Sequence, residues 1–334
     1  MIQVGLVGHG YWGKNLLRNF YHLPDSSVSW LCDSNEKQLA QAKKNYADLR
    51  VTTDYNDLLK DPKLDAVIIA TPVFTHYELA KKALKAGKNV LVEKPMTSTV
   101  AQAEELIELA QKKKKLIMPD HTFLYTGAVK KMKELISSGA IGKINYIDST
   151  RINLGLFQPD VNVLWDLAPH DISICDYLVE EKPYSVQATG ISHTNNGIEN
   201  IAYLTVNYNS NMIAHFNCSW TSPVKVRNML IGGDKKMILY NDLETTEKIK
   251  IYDTGYELRT EEDKIKIMVD YRTGDIYVPK LDFTEALTGM AQDFVSCIAS
   301  GNTPKSNAAL GLSVVKILEA SQQSIKQKGK EIIL

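Results

Sequence analysis

Near its start the chain reads Gly8-His9-Gly10-Tyr11-Trp12-Gly13, which matches the spacing G-x-G-x-x-G. This stretch follows a β-rich run, residues 2–7, and opens a segment, residues 12–22, whose apolar residues recur at helical spacing. In that context the first glycine permits a tight turn, the second admits a pyrophosphate, and the third lets the helix pack closely on the strand. The free N–H groups and the dipole of the helix N-terminus favour the anion. The sequence therefore predicts a dinucleotide site that includes Gly8, Gly10, Tyr11, Trp12 and Gly13.

A carboxylate follows the second predicted strand. Asp33 lies 20 residues beyond Gly13, at the place where an acidic side chain binds the adenosine ribose hydroxyls of a dinucleotide. A carboxylate there repels a 2′-phosphate, and the neighbouring residues 32–35 include no arginine. The sequence therefore predicts NAD rather than NADP as the cofactor.

The patterns along the chain predict two domains. Residues 1–121 alternate β-type and helical segments, which is typical of a doubly wound parallel α/β sheet, a Rossmann domain. Residues 122–334 begin with a helix, an alternating strand over 144–154 and a helix over 166–179. Several β-type runs with turn residues between them follow, which favours an antiparallel meander, and two helical segments end the chain. The second domain is thus expected to be α+β, with an open, mostly antiparallel sheet.

Composition excludes several classes of protein. The 334 residues carry 39 basic and 39 acidic side chains, so nothing in the net charge favours nucleic acid or an anionic membrane as a partner. No stretch approaches the ~18 apolar residues of a membrane span, and the first residues lack a signal-peptide pattern. The four cysteines form no C-x-x-C pair, which favours reduced thiols, no metal and a cytoplasmic location.

Two constellations carry candidate chemistry. Glu93-Lys94-Pro95 follows a predicted strand, and the carboxyl ends of such strands face the ligand crevice. Pro95 disfavours a helical Lys94 and so directs it into the crevice, where a cationic nicotinamide would favour the neutral, proton-accepting amine. Asp166 and His170 are four residues apart and share a face if the helix has begun there. Such a pair can relay protons, grip a diol or form a buried structural contact.

The ordered set of these motifs resembles the glucose-fructose oxidoreductase and inositol dehydrogenase (Gfo/Idh/MocA) family over nearly the whole length. It comprises Gly8-x-Gly10-x-x-Gly13, Asp33, Ala70-Thr71-Pro72 with His76, Glu93-Lys94-Pro95, and Asp166-x-x-x-His170. The resemblance implies that Lys94 and His170 transfer protons with the help of Asp166, as a hydride passes between a carbinol and NAD. It also implies that Thr71, Pro72, His76 and Glu93 lie along the cofactor. The family often has an Asp three residues after the His; here Ser173 stands there and Asp171 follows His170, so no substrate contact is carried over to Ser173.

Polar residues before the Asp166–His170 pair form a natural substrate wall. Arg151 suits a phosphate or carboxylate, Asn153 and Asn162 suit hydroxyl and amide groups, and Trp165 offers an apolar face to a sugar ring. This stretch resembles the branch of the family that acts on nucleotide sugars, which implies oxidation at C3 of a UDP-N-acetylhexosamine or its uronate. A free polyol or hexose, and a 3-keto deoxysugar nucleotide, remain the alternatives.

Other classes of function also stay open. An NAD-binding protein without catalysis would keep the nucleotide motif alone, and a glycosidase or an apolar-substrate reductase could share the fold. The alternating runs between residues 185 and 252 leave one sheet face uncovered. Either Tyr203, Thr205, His215, Asn217 and Ser219 or their neighbours lie on it, and the pattern does not decide between the two registers. The family resemblance implies that such sheets pair as homodimers or homotetramers.

Overall fold

The structure, a computed structural model, describes residues 1–155, 157–257 and 270–334. The chain forms two compact units, one of Met1–Thr126 with Thr284–Lys316 and one of Gly127–Phe283 with Ile317–Leu334. The expected division at residue 121 therefore differs from the structure, because a late segment returns to the first unit. In that unit the buried ring of Phe294 packs edge-on against Phe20, with centroids 6.2 Å apart.

The first unit contains a six-stranded parallel sheet. Its strand order is β3-β2-β1-β4-β5-β6, and every neighbouring pair is parallel. The strands are β1 (Ile2–Val7), β2 (Ser26–Cys32), β3 (Arg50–Thr52), β4 (Ala66–Ile69), β5 (Asn89–Glu93) and β6 (Ile117–Asp120). The helices are α1 (Tyr11–Tyr21), α2 (Glu36–Asn45), α3 (Tyr55–Lys60), α4 (Val73–Lys85) and α5 (Val100–Lys113), and a 3₁₀ turn covers Thr122–Tyr125.

The predicted doubly wound parallel sheet is thus confirmed. Strand β4 is an unbroken apolar run and is buried along its whole length, as expected for a strand covered by helices on both faces. The strand order reverses between β1 and β4, and ligands of such sheets bind at the carboxyl ends of the strands beside that reversal. The loops that follow these strands therefore position the candidate site.

The second unit contains a nine-stranded sheet with the order β16-β13-β12-β11-β7-β10-β9-β8-β17. Its strands are β7 (Ile144–Leu154), β8 (Pro183–Ile191), β9 (Ile201–Tyr208), β10 (Ile213–Ser219), β11 (Thr221–Gly233), β12 (Met237–Asn241), β13 (Ile249–Tyr252), β16 (Ile276–Tyr277) and β17 (Ile332–Ile333). Strands β14 (Gly255–Glu257) and β15 (Asp270–Arg272) pair separately. Among the described residues, helices α6 (Gly127–Ser137) and α7 (Val163–Leu178) belong to this unit, α8 (Ala286–Ser300) belongs to the first unit, and α9 (Ala308–Lys326) has residues in both.

The expected antiparallel meander is only partly correct. Strand β7 lies between β10 and β11, and it runs parallel to β10, whereas the other described pairs of this sheet are antiparallel. Periodicity predicts that a strand exists but does not specify its neighbours, so the insertion of β7 was not predictable from it. The sheet is nevertheless mostly antiparallel, as expected.

One face of this sheet forms the core of the second unit. Ala202, Leu204 and Val206 on β9 are buried, while Tyr203 and Thr205 between them point the other way. On β10 His215 and Asn217 share the second face, whereas Ser219 is buried. All four cysteines are buried and unpaired, as predicted. Within the described residues, none of the helices combines the length and the apolar character that a bilayer crossing needs.

Candidate dinucleotide and catalytic site

The glycine-rich loop has no room for side chains at two of its positions. Gly8 has a φ of 91°, and a Cβ there would lie 2.4 Å from the carbonyl oxygen of Ala70. A Cβ on Gly13 would lie 2.0 Å from the carbonyl oxygen of Gly8. A Cβ on Gly10, by contrast, would meet no heavy atom of the described chain within 4 Å beyond its immediate neighbours. The loop is therefore packed against the sheet on one side and open at Gly10, as a bound pyrophosphate requires.

Helix α1 begins directly behind this opening. Gly10 is its N-cap and supplies no side-chain hydrogen bond to the first turn. Tyr11 and Trp12 are exposed at this end of the helix. The N-terminus thus presents backbone N–H groups without a side-chain cap, which is the arrangement that anions favour.

Asp33 ties the end of β2 to the same loop. Its Oδ2 accepts a hydrogen bond from the backbone N–H of His9 at 2.6 Å, and its Oδ1 accepts one from the backbone N–H of Asn35 at 2.7 Å. A carboxylate has about four lone-pair sites, so Asp33 keeps acceptors for two ribose hydroxyls. The residues at this edge therefore fit the adenosine half of a dinucleotide.

His76, which the family resemblance implied to lie along the cofactor, is buried beneath the loops at this edge of the sheet. The ring is 1% exposed, with Nδ1 2.9 Å from the carbonyl oxygen of Pro95 and Nε2 2.8 Å from that of Thr71. Both ring nitrogens thus face backbone carbonyls, of which a neutral imidazole donates to one, and burial lowers the pKa of the ring. His76 holds the loop after β4, with Thr71 and Pro72, against the loop after β5.

The carboxyl ends of β5 and β6 bring together a group that we call the acidic edge: Glu93, Asp120 and His121. Glu93 and Asp120 are paired in register, and both are buried, as is His121. Burial raises the pKa of Glu93 well above its usual range and that of Asp120 to about 6, while it lowers the pKa of His121 to about 3. The positive charge of Lys94 lowers the pKa of each of the three groups, as a nearby cation does. Lys94, which directly follows β5, therefore lies close enough to this edge for its charge to act on all three groups.

In the second unit, helix α7 carries Asp166 and His170. The helix begins at Val163, so the two residues are one turn apart, as the spacing predicted. Both are partly exposed. The indole Nε1–H of Trp220 donates to Asp166 Oδ2 at 3.0 Å, and Trp220 itself is buried. The carboxylate is therefore held by a buried neighbour that lies between strands β10 and β11.

Arg151 does not form part of a substrate wall. Its side chain is 3% exposed, and its guanidinium makes a bidentate ion pair with Asp171, at 2.8 Å from Nε and 2.7 Å from Nη2. The planar guanidinium fits a carboxylate from two nitrogens at once, and here that carboxylate belongs to the protein. The expectation that Arg151 binds an anionic group of the substrate is therefore corrected.

Asn162 is likewise structural. Its Oδ1 caps α7 by accepting from the backbone N–H of Trp165, and its Nδ2 donates to Glu199 at 2.9 Å and to Gln322 at 2.6 Å. Asn153 and Trp165 stay partly exposed and remain candidates for substrate contact.

Ser173 is fully buried on α7. Its hydroxyl donates to the carbonyl oxygen of His170 at 2.8 Å, one turn earlier in the same helix. The Ser173 hydroxyl is therefore occupied inside its own helix, and no substrate contact is assigned to it.

Sequence reasoning missed three residues of the site. Asp120 ends the parallel strand β6 and His121 follows it. Both therefore lie at the carboxyl end of a strand, the feature that indicated Lys94. Trp220 gave no such signal, because its contact with Asp166 joins residues 54 positions apart.

The fold and the loop geometry define a Rossmann-type dinucleotide-binding protein, and comparison with known proteins makes this specific. Residues 2–121 match the family model described as an oxidoreductase family with an NAD-binding Rossmann fold, and residues 129–239 match the GFO/IDH/MocA C-terminal domain. The chain belongs to this GFO/IDH/MocA family of oxidoreductases.

Its relatives show the breadth of that family. The uncharacterized oxidoreductase YdgJ of Escherichia coli is 32% identical over 182 residues, which span about half of each chain (51%). The scyllo-inositol 2-dehydrogenase (NADP(+)) IolW of Bacillus subtilis is 25% identical, over 98% of this chain and 94% of its own. The solved structure of UDP-N-acetylglucosamine 3-dehydrogenase GnnA from Acidithiobacillus ferrooxidans has a TM-score of 0.81 at 22% identity and covers 98% of each chain. At that identity the likeness concerns the fold.

Proposed function

We propose that the chain catalyses the NAD-dependent oxidation, or the reverse reduction, of a carbinol in a sugar or polyol. The observation that carries this proposal is the place of Lys94: it follows the carboxyl end of β5, and its charge acts on the buried groups of the acidic edge. A cation at that edge of a Rossmann sheet is in a position to exchange a proton with a substrate hydroxyl.

In the proposed reaction, NAD supplies the hydride acceptor at C4 of its nicotinamide ring. Lys94 or His170 takes the proton of the carbinol hydroxyl, and the same groups return it in the reverse direction. Asp166, fixed by Trp220, binds a substrate hydroxyl or keeps the imidazole of His170 oriented. The glycine loop and Asp33 hold the pyrophosphate and the adenosine ribose, and the carboxylate of Asp33 favours NAD over NADP.

The finer proposal is oxidation at C3 of a UDP-N-acetylhexosamine or its uronate. It is supported by Asn153 and Trp165 as partly exposed neighbours of the candidate site in the second unit, and by the shared fold of GnnA. It no longer draws on Arg151, whose charge is taken up by Asp171. A free polyol such as an inositol is the second candidate, because IolW aligns over nearly the full length of both chains.

A substrate panel tests both levels of the proposal. The purified protein is incubated with NAD and, separately, with UDP-N-acetylglucosamine, its uronate, the bare N-acetylhexosamine, myo-inositol and glucose, and reduced cofactor is followed by absorbance. Turnover with the nucleotide sugars alone supports the finer proposal, since remote contacts to the diphosphate would then position the reacting carbon. Turnover with only the free polyols contradicts it. No turnover with any of them, together with NAD binding, favours a non-catalytic NAD-binding protein.

Assembly and location remain predictions. The second sheet face, with Tyr203, Thr205, His215 and Asn217, supports a homodimer or homotetramer formed through the C-terminal sheet. Four buried thiols and a dinucleotide cofactor support action in the cytoplasm.

A further inference from the structure

The acidic edge differs from an ordinary protein interior in how its polar atoms are satisfied. Glu93 is 9% exposed, Asp120 3% and His121 1%. Within the part of the chain that the structure describes, Glu93 Oε1, Asp120 Oδ2 and both ring nitrogens of His121 are buried and make no hydrogen bond. An unsatisfied buried polar atom costs on the order of 1–3 kcal/mol. Four such atoms at one edge of the sheet lower the stability of the fold, which indicates that they serve a function other than stability.

The position of the acidic edge in the sheet indicates which part of a bound dinucleotide would lie beside it. Asp33, at the end of β2, and the glycine loop, at the end of β1, fit the adenosine and pyrophosphate parts of a dinucleotide. The strand order continues from β1 through β4 to β5 and β6. A dinucleotide held by these residues would therefore bring its nicotinamide half towards the carboxyl ends of β4, β5 and β6, where the acidic edge lies.

Asp120 is a group of this edge whose charge changes as the pH passes about 6, and Glu93, whose pKa burial also raises, is its carboxyl neighbour. Burial raises the pKa of Asp120 to about 6, and the hydroxyl of Thr122, which donates to Oδ1, favours the ionised form. The other titratable groups around it are Glu93, Lys94, His121 and Tyr125, whose hydroxyl donates to Asp293. His121 has its pKa lowered to about 3 and stays neutral, and burial raises the pKa of Tyr125 above its usual value, so neither titrates there.

We infer that Asp120 sets the preference of the protein between oxidised and reduced cofactor. The oxidised nicotinamide ring carries a positive charge that the reduced ring lacks. When Asp120 is ionised, its carboxylate stabilises the oxidised ring, and when it is protonated that stabilisation is lost. Asp120 is thus a specificity-determining residue for the redox state of the cofactor. The inference rests on NAD binding and on the orientation of the cofactor, and it does not depend on which substrate the enzyme oxidises.

The experiment measures the dissociation constants of NAD and of NADH between pH 5 and pH 8, without substrate, by calorimetry. Contacts of the adenosine and pyrophosphate parts are common to both cofactors, so their pH dependence, including that of His9, cancels in the ratio Kd(NAD)/Kd(NADH). For the wild type this ratio should rise on the order of tenfold as the pH falls through about 6, as expected for the loss of one partly screened unit charge.

Two variants move the ratio in different ways. Asp120→Asn should remove the pH step and keep the ratio at its high, acid value. Thr122→Val retains the carboxyl but removes the hydrogen bond that favours its ionised form, so the step should keep its size and move to higher pH. The second variant is nearly isosteric, which keeps the inference testable if Asp120→Asn does not fold.

Three results would overturn the inference. The first is a wild-type ratio that does not change between pH 5 and pH 8. The second is an Asp120→Asn protein that still shows the step while Glu93→Gln loses it, which would assign the effect to Glu93. The third is a step that Thr122→Val leaves at the wild-type pH. None of these results bears on the proposed sugar or polyol substrate, which the panel of substrates tests separately.

Discussion

Two buried clusters of charged groups, one in each unit, are built in opposite ways. In the second unit Arg151 and Asp171 pair through two short hydrogen bonds and leave little for any other molecule to contact. In the first unit Glu93, Asp120 and His121 are equally removed from solvent, yet four of their polar atoms make no hydrogen bond within the described chain.

This contrast separates two uses of buried charge. A bidentate ion pair satisfies both desolvated partners, so it holds β7 to α7 and has no capacity left for a ligand. The polar atoms of the acidic edge are buried without hydrogen bonds that would offset their desolvation. These groups can therefore still interact with the charge of a bound ligand. Substitutions of Arg151 or Asp171 should therefore change stability, and substitutions in the acidic edge should change cofactor binding and catalysis.

The largest effect on activity is expected at Lys94, beside the acidic edge. Lys94→Met should lower kcat by about 10²–10⁴-fold, the usual contribution of a general acid or base, while NAD still binds. Lys88 is the matched control, since it precedes β5 at the other end of the strand and donates to the carbonyl oxygens of Asp61 at 2.7 Å and Leu64 at 2.8 Å. Lys88→Met should lower the midpoint of thermal unfolding and leave kcat unchanged. An active Lys94→Met enzyme would refute the role proposed for this lysine.

The second largest effect is expected on stability, at the ion pair of Arg151 and Asp171. Asp171→Leu alone should reduce the free energy of unfolding by about 3–5 kcal/mol, because it leaves the Arg151 guanidinium buried without its partner. The double variant Arg151→Met with Asp171→Leu should recover much of that loss, and denaturant unfolding measures all three proteins. If the double variant is well folded and its KM for the substrate found in the panel is strongly raised, Arg151 contacts the substrate after all.

The same contrast shows what could be predicted from the sequence. Strand and helix periodicity predicted the parallel sheet and the helix that carries Asp166 and His170, because both depend on local patterns of apolar residues. Strand β3 was missed, since its three residues are too few to show a pattern and two of them are exposed. The neighbours of β7 were missed because strand order arises from tertiary packing.

Arg151 shows the corresponding limit for the site. An arginine at a strand end suits a phosphate by its chemistry, but its partner here stands 20 residues away on α7, next to His170. Sequence spacing selected His170 as a candidate, but it could not show that the next residue, Asp171, pairs with Arg151. Asp120 and His121, in contrast, were predictable from the sequence. The carboxyl ends of parallel strands face the ligand crevice, and this rule selects Asp120 and His121 as it selected Lys94.

The smallest effect is expected at Trp220, a buried residue that acts through the candidate catalytic pair. Its indole N–H donates to Asp166, so it positions that carboxylate on α7. Trp220→Phe removes the donor and part of a buried ring, and it should lower kcat by about tenfold, consistent with a hydrogen bond to a charged group worth roughly 1.5 kcal/mol. Trp30 provides the matched control, because its indole N–H donates to Asp61 Oδ2 at 2.9 Å in the first unit. Trp30→Phe loses the same type of bond and should leave kcat unchanged. Equal kcat in the two variants would show that Asp166 needs no support from Trp220, and the carboxylate would then belong with the structural contacts of α7.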